Sequence, residues 1–125
     1  MKREFTIPNR LPGLNEIINA SRGNRYGANA QKIRVEKKII WCIKEAKIKK
    51  CKEPITLSVV FFEKNKRRDP DNIISGGMKH ILDAMKTAKI IKNDGWKNIE
   101  LIESYWFLDR ENPRIEVTIY EAEEE

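Results

Sequence analysis

The sequence predicts a single mixed α/β domain, built from a sheet of about four strands and two main helices. Its 125 residues fit one domain of ordinary size. Four stretches alternate apolar and polar residues as half-buried strands do, and two longer stretches repeat apolar residues at helical spacing. Strands and helices interspersed in this way predict helices packed on one mixed sheet. We place the domain at residues 1–120 and regard residues 121–125, four of which are acidic, as a tail.

The amino-terminal half contains one predicted strand and one long predicted helix. Residues 2–7 have the pattern of a strand, and a short helix over 14–20 follows a loop rich in Pro, Gly and Asn. Residues 21–27 have the Gly, Asn and Ser content of a basic loop. The long helix is predicted over 28–50, where residues at helical spacing form its apolar stripe: Val35, Ile39, Cys42, Ile43 and Ala46.

The carboxyl-terminal half contains three predicted strands and the second long helix. Residues 55–62 form the first of these strands, and a helix follows over 70–86. Strands over 99–108 and 114–120 complete the sheet, and Trp106 in the former is expected in the core. One face of the first strand is apolar throughout, and it carries Ile55, Leu57, Val59 and Phe61.

Charge narrows the class of partner. The formal net charge is +6, and without the acidic tail the chain carries 25 bases against 15 acids. Residues 31–52 hold nine bases and two acids, so the outer face of the long helix is cationic. Such a surface attracts polyanions, of which nucleic acid is the commonest, and the open alternative is a face that only keeps the protein in solution.

Cysteine and histidine counts exclude several kinds of chemistry. Cys42 and Cys51 form no CxxC pair, and His80 is the only histidine, so neither a disulfide framework nor a zinc site is expected. Cys42 is expected to be buried and inert, and His80 to be structural. The longest apolar run, 39–43, is too short to cross a membrane. With no signal-like amino terminus, the expected compartment is the reducing cytoplasm.

The segment with the clearest chemistry leads into the second long helix. Asp69 suits a helix N-cap and Pro70 the first helical position, but neither explains the second acid, Asp71. Two carboxylates at a strand-to-helix junction can point into one cavity and hold Mg²⁺, which prefers oxygen ligands. Arg67 and Arg68 precede them and suit forked contacts with phosphate.

A third acid, Asp94, follows the helix. A helix of about 16 residues spans about 24 Å, so Asp94 joins Asp69 and Asp71 only if the chain runs back or a second copy supplies it. Each acid also has a structural alternative, since the three can serve as a cap, a first-turn acid and a turn former before Gly95. Spacing alone leaves these alternatives open.

The string Asp69-Pro70-Asp71-Asn72, followed by residues 79–85 and 90–94, resembles the RusA family of Holliday junction resolvases. Leu14-Asn15-Glu16, with a basic helix after it, looks like the phage and prophage branch of that family. The resemblance covers roughly residues 5–120. It implies a RusA-like, homodimeric, Mg²⁺-dependent endodeoxyribonuclease that resolves four-way DNA junctions by paired symmetric nicks, in recombination and repair.

The same resemblance implies roles for single residues. Asp69, Asp71 and Asp94 correspond to the family's metal-binding catalytic acids, which are gathered in a cleft at the dimer interface. Lys79 corresponds to its essential lysine, but this sequence departs from the pattern, because Ser75 holds the usual place and Lys79 lies one turn later. The residues predicted to contact DNA are polar or cationic, and they are Asn15, Arg25, Lys32, Lys66, Arg67, Arg68 and Asn72.

Two other functions fit part of the sequence. A non-catalytic junction-binding or DNA-binding protein, such as a phage regulator or an inactive resolvase relic, shares the basic charge but has no use for the acids. A Mg²⁺-dependent phosphohydrolase of small nucleotides has no use for the long cationic face. Trp96, next to Gly95, is the tryptophan predicted to stack on bases or to contact a second subunit.

Overall fold

The computed structural model describes residues 1–23 and 25–123. Within these residues, four strands form one mixed sheet and three helices accompany it. The predicted mixed α/β class is therefore confirmed. In chain order the elements are β1 (Lys2–Pro8), α1 (Leu14–Gly23), α2 (Arg25–Glu45), β2 (Ile55–Glu63), α3 (Pro70–Thr87), β3 (Ile99–Leu108) and β4 (Arg114–Tyr120).

The sheet has the strand order β1-β4-β2-β3. β4 pairs antiparallel with both β1 and β2, and β3 pairs parallel with β2. A parallel pair needs a long crossover, and α3 provides it between β2 and β3. The predicted alternation along β2 is confirmed, because Ile55, Leu57, Val59 and Phe61 are all buried.

Two predicted boundaries are wrong. Residues 21–27, predicted as a loop, are largely helical, since α1 continues to Gly23 and α2 begins at Arg25. α1 packs against α2 and α3, but residues 21–23, 26 and 27 are all exposed, so these turns are helical despite the weak helix propensity of Gly and Ser. At its other end α2 stops at Glu45 instead of residue 50, because Lys47 takes a positive φ of 58° and leaves the helix. Ala46, predicted to be part of the apolar stripe, is consequently exposed.

Helix α3 comes unusually close to its neighbours through two adjacent glycines. A Cβ at Gly76 would collide with the backbone of Pro12 and Gly13, and one at Gly77 would collide with the ring of Phe61. Glycine weakens a helix, but here the missing side chains allow α3 to contact the loop after β1 and the strand β2 directly. None of the helices in the described residues is long and apolar enough to span a membrane.

The helices cover three of the four strands. The inward residues of β1, β4 and β2 are buried, whereas Ile102, Trp106 and Leu108 on the same side of β3 are 41–50% exposed. Trp106 lies beside the buried Phe61 in the strand register, so it faces the helix layer and is still half exposed. The prediction that Trp106 belongs to the core is therefore wrong, because β3 extends past the edge of the helices.

Candidate active site

The acid pair lies where the chain enters α3. Asp69 is the N-cap, with extended backbone (φ −68°, ψ 150°), and Pro70 follows in the first helical turn. Within the described residues the Asp69 carboxylate makes no capping hydrogen bond, so capping does not account for this side chain. Asp71 lies in the first turn and is also exposed. Both carboxylates therefore face solvent at the positive end of a helix, where an external cation or a phosphate can reach them.

A groove of about 330 Å³ opens beside Asp69. It lies at the carboxyl ends of β2 and β3, an edge where ligands often bind in sheets with parallel strands. Lys66 lines it from the loop before α3, and Trp106 and Leu108 line it from β3. The site thus combines a carboxylate, a cation and an exposed aromatic ring.

Arg68, predicted to contact DNA, is held inside the protein. Its guanidinium donates to both carboxylate oxygens of Glu63 (2.8–3.0 Å), to Glu16 (2.9 Å) and to the carbonyl oxygen of Leu11 (2.8 Å). Glu63 is buried, and Arg10 lies 3.6 Å from it as a second counter-charge. Arg68 therefore anchors the loop after β1 and the start of α1 next to the acid pair, and sequence spacing did not reveal the partner, Glu63.

Asn72 has a similar internal partner. Its side-chain oxygen accepts a hydrogen bond from the backbone N–H of Asn15 at 2.8 Å, in the first turn of α1. Gly13 packs directly on the Asn72 amide, and a Cβ there would collide with it. Arg68 and Asn72, one on each side of Asp69 and Asp71 in the sequence, together hold α1 against α3.

Asp94 lies at the other end of α3. Its carboxylate is 3.2 Å from Nζ of Lys86, and this hydrogen bond is the largest of the effects that raise the pKa of Lys86. From Asp71 to Lys86 the helix rises about 22 Å. One chain therefore does not bring Asp94 to Asp69 and Asp71, and the described residues contain no cluster of three potential metal ligands.

Lys79 belongs to the charged row along α3. Its ammonium lies 3.6 Å from Asp83, and Asp83 in turn lies 3.4 Å from Lys86, so the row continues to Asp94. Lys79 is well exposed and lies about 12 Å beyond Asp71 along the helix axis. In this conformation Lys79 is nearer to Asp83 than to the acid pair.

The other predicted DNA contacts are scattered over the surface. Lys66 and Arg67 are exposed in the loop before α3, and Lys32 is exposed on α2, 4.0 Å from Glu36. Asn15 uses its backbone N–H for Asn72, as described above. The side chain of Arg25 lies outside the described residues.

His80 and Cys42 are titratable side chains that are buried away from the groove. Among the residues that the structure describes, neither ring nitrogen of His80 has a hydrogen-bond partner, and burial lowers the pKa of His80. Burial also raises the pKa of the Cys42 thiol, as expected for an inert core cysteine. Neither group reaches the acid pair, in agreement with the structural roles predicted for them.

The two carboxylates lie beside a cationic loop and a helix N-terminus. This arrangement defines a class of proteins that can bind phosphate groups next to acidic side chains. Residues 14–120 match the family described as Endodeoxyribonuclease RusA. The chain therefore belongs to the RusA family of Holliday junction resolvases, as its central motif predicted. No curated protein matches the chain. Family membership implies an endonuclease that acts on DNA at Holliday junctions.

Proposed function

We propose that the protein is a homodimeric, Mg²⁺-dependent endodeoxyribonuclease that resolves four-way DNA junctions by paired symmetric nicks. The observation that carries this proposal is that the Asp69 and Asp71 carboxylates are exposed and unpaired within the described residues. Within the described part of the chain, these two exposed carboxylates at the start of α3 make no ion pair or hydrogen bond with another side chain. Acids in such a cationic region repel phosphate unless a cation lies between them and the DNA.

A second subunit is the natural source of the third acid. β3 pairs with β2 on one side, and no strand among the described residues pairs with its other side. In an antiparallel pair of β3 strands, the start of one strand lies opposite the end of the other. Asp94 adjoins the start of β3, and the groove beside Asp69 adjoins its end at Leu108. Such a pair would carry Asp94 of the partner subunit towards Asp69 and Asp71.

Each residue then has a distinct task. Asp69 and Asp71, with Asp94 of the partner subunit, would hold Mg²⁺, since carboxylate oxygens are the ligands this ion prefers. When bound, the ion supplies Lewis-acid activation of the scissile phosphate and of water. Lys66 and Arg67 would bind the flanking phosphates. Lys79 lies about 12 Å from Asp71 along α3 and contacts Asp83, so it would have to leave Asp83 to offset the charge that develops at the reacting phosphate.

The substitution Asp71→Asn tests the catalytic role. It removes one anionic ligand and keeps the size of the side chain, so junction binding should persist. Nicking of a synthetic four-way junction in Mg²⁺ should fall at least about 100-fold, because metal assistance supplies several kcal/mol. Glu45→Gln, at an exposed acid at the end of α2, is the matched control and should nick normally. Normal nicking by Asp71→Asn would contradict the proposal.

Mixed dimers test whether Asp94 acts across the interface. Asp71→Asn and Asp94→Asn chains are each expected to be inactive alone. In a mixed dimer with acids shared between subunits, one centre carries both substitutions and the other carries none, so single nicks return. If all three acids came from one chain, every centre in the mixture would be defective and no nicking would return. The same junction assay on a duplex of equal length separates junction resolution from general nuclease activity.

A further inference from the structure

We propose that the groove beside Asp69 receives an unstacked nucleobase of the DNA strand being cut, with the Trp106 indole as its stacking surface. This inference rests on the proposed nuclease function and adds a binding subsite to it. It concerns how the substrate is positioned and is independent of how the metal is held.

The exposure of Trp106 is unusual for its place in the sheet. Its neighbour in the register, Phe61, is 1% exposed on the same side of the sheet, whereas Trp106 is 50% exposed. The indole lies on the helix side of β3 and lines the groove. A large apolar ring held on a strand, with one face open to a cavity, is suited to stack on another planar ring.

The remaining walls of the groove match the parts of a nucleotide. Leu108 and Ile73 provide apolar surface, and Lys66 provides a cation for a phosphate. Asn65 accepts a hydrogen bond from the backbone N–H of Arg67 through its side-chain oxygen, so its NH₂ group can donate to a base edge. At about 330 Å³ the groove is in the range of small-ligand sites.

The position of Asp69 identifies the occupant as DNA. Asp69 and Trp106 line the same groove, so a phosphate bound at the acid pair belongs to a nucleotide whose base can enter that groove. Unpaired or strained bases at a branch point cost least to unstack. A second subunit at the outer edge of β3 would approach from the side opposite β2 and leaves the helix side of Trp106 to the substrate.

The test uses the dimeric protein and four-way junctions that carry 2-aminopurine next to the cleaved phosphate. Trp106→Ala should lower the nicking rate about 5- to 100-fold, the range expected for loss of one base–aromatic stack. It should also abolish the change in 2-aminopurine fluorescence on binding, measured without Mg²⁺. Trp106→Phe should retain most of both signals. Tyr120→Ala, at a strand aromatic of similar exposure at the far end of the sheet, should match the wild type.

Two results would overturn the inference. Unchanged nicking and fluorescence in Trp106→Ala would show that no base occupies the groove. Conversion of Trp106→Ala to a monomer at a concentration where the wild type is a dimer, measured by sedimentation, would assign the groove to the subunit contact. Failure of the wild type to nick in Mg²⁺ would refute the proposed function, while the metal-free fluorescence would still report base stacking.

Discussion

Strand β1 forms one edge of the sheet and strand β3 forms the other, and the two edges meet water in different ways. Along β1, Phe5 and Ile7 are buried, and the outward side carries an ion pair between Lys2 and Glu4 at 2.9 Å. Pro8, which has no N–H to donate, ends the strand. β3 carries Glu100 and Glu103 near its start but is otherwise mostly apolar. Its half-exposed apolar residues are Leu101, Ile102, Tyr105, Trp106, Phe107 and Leu108.

The difference indicates which edge of the sheet is suited to pairing with another chain. Charges and proline at an edge discourage pairing with another chain, whereas a long apolar edge invites it. A strand in a parallel pair is usually buried on both faces. The proposed second subunit would cover the outer edge of β3, while the helix side at Trp106 stays open to the substrate. The same strand links the groove beside Asp69 to the loop that holds Asp94. Covering β3 and completing the acid site are therefore expected to occur together.

The largest expected effect comes from placing a charge on the β3 edge. Tyr105→Lys places a cation in the strand. In the proposed dimer both subunits would carry this cation, and both cations would be buried at the contact between the two β3 strands. The dimer should weaken at least about 100-fold, since mismatched charges at an interface cost several kcal/mol, and nicking should fall with it. Sedimentation and the junction assay measure both. Thr6→Lys, at an exposed position on β1, is the matched control, and equal behaviour of the two variants would remove the distinction between the edges.

The second-largest effect is expected from the buried ion pair between Glu63 and Arg68, which lies near the end of β3. Glu63 is buried, and its carboxylate accepts hydrogen bonds from Nε and Nη2 of Arg68. Glu63→Ala should lower the free energy of unfolding by about 3–5 kcal/mol, because it leaves a largely buried cation without its partner. Urea unfolding measures the change, with Glu45→Ala as an exposed control. A loss below about 1 kcal/mol would show that Arg68 finds other partners at little cost.

His80 gives a pH-dependent effect in the helix layer. Burial holds its pKa below the ordinary value of 6.5, although Asp83 opposes the shift and Lys79 and Lys32 add to it. As the pH falls through 6.5, the unfolded chain takes up the proton before the folded chain, so the free energy of unfolding should decrease. The decrease should stop once the folded His80 is also protonated.

The matching variant is His80→Leu, which removes the titrating ring. Its free energy of unfolding should change less than that of the wild type between pH 7 and pH 5, as followed by urea unfolding at each pH. Identical pH profiles of the variant and the wild type would mean that groups other than His80 cause the decrease in the free energy of unfolding. The edge substitutions are compared at one fixed pH, so that the titration of His80 does not contribute to their effects.

The smallest effect is expected at the β1 edge. Nε of Arg3 lies 3.3 Å from a carboxylate oxygen of Glu121, and the arginine side chain is 41% exposed. Arg3→Ala should cost no more than about 1 kcal/mol, less at high salt, because exposed ion pairs are weak and screened. The dimer and the nicking rate should not change. A large loss of dimer in Arg3→Ala would mean that β1 also takes part in assembly.

Local patterns predicted most of the elements, and the failures have identifiable causes. The alternation in residues 55–62 and the Asp69-Pro70 pair lie within single elements, so strand β2 and the start of α3 were predictable. Residues 21–27 have a loop composition, yet the described ones continue α1 and begin α2 while remaining exposed. Composition does not show that two neighbouring helices extend into this segment. Trp106 is apolar, but hydrophobicity does not tell whether a neighbouring element covers it.

The candidate site divides in the same way. The motif from Asp69 to Asn72 was visible in the sequence and identified the family, because its residues are adjacent in the chain. The partners of Arg68 and Asn72, which are Glu63, Glu16 and Asn15, come from other elements. The internal roles of the Arg68 and Asn72 side chains could therefore not be assigned before the three-dimensional arrangement was known.

By itself the sequence determined the strands and helices, the acid pair and the family, since each of these depends on residues close together in the chain. Tertiary structure decided which strand lies at the open edge and that the chain does not run back along α3 to bring Asp94 to Asp71. The physical reason is that strand order and the course of the chain after a helix depend on packing between distant segments. Periodicity along the chain carries neither kind of information.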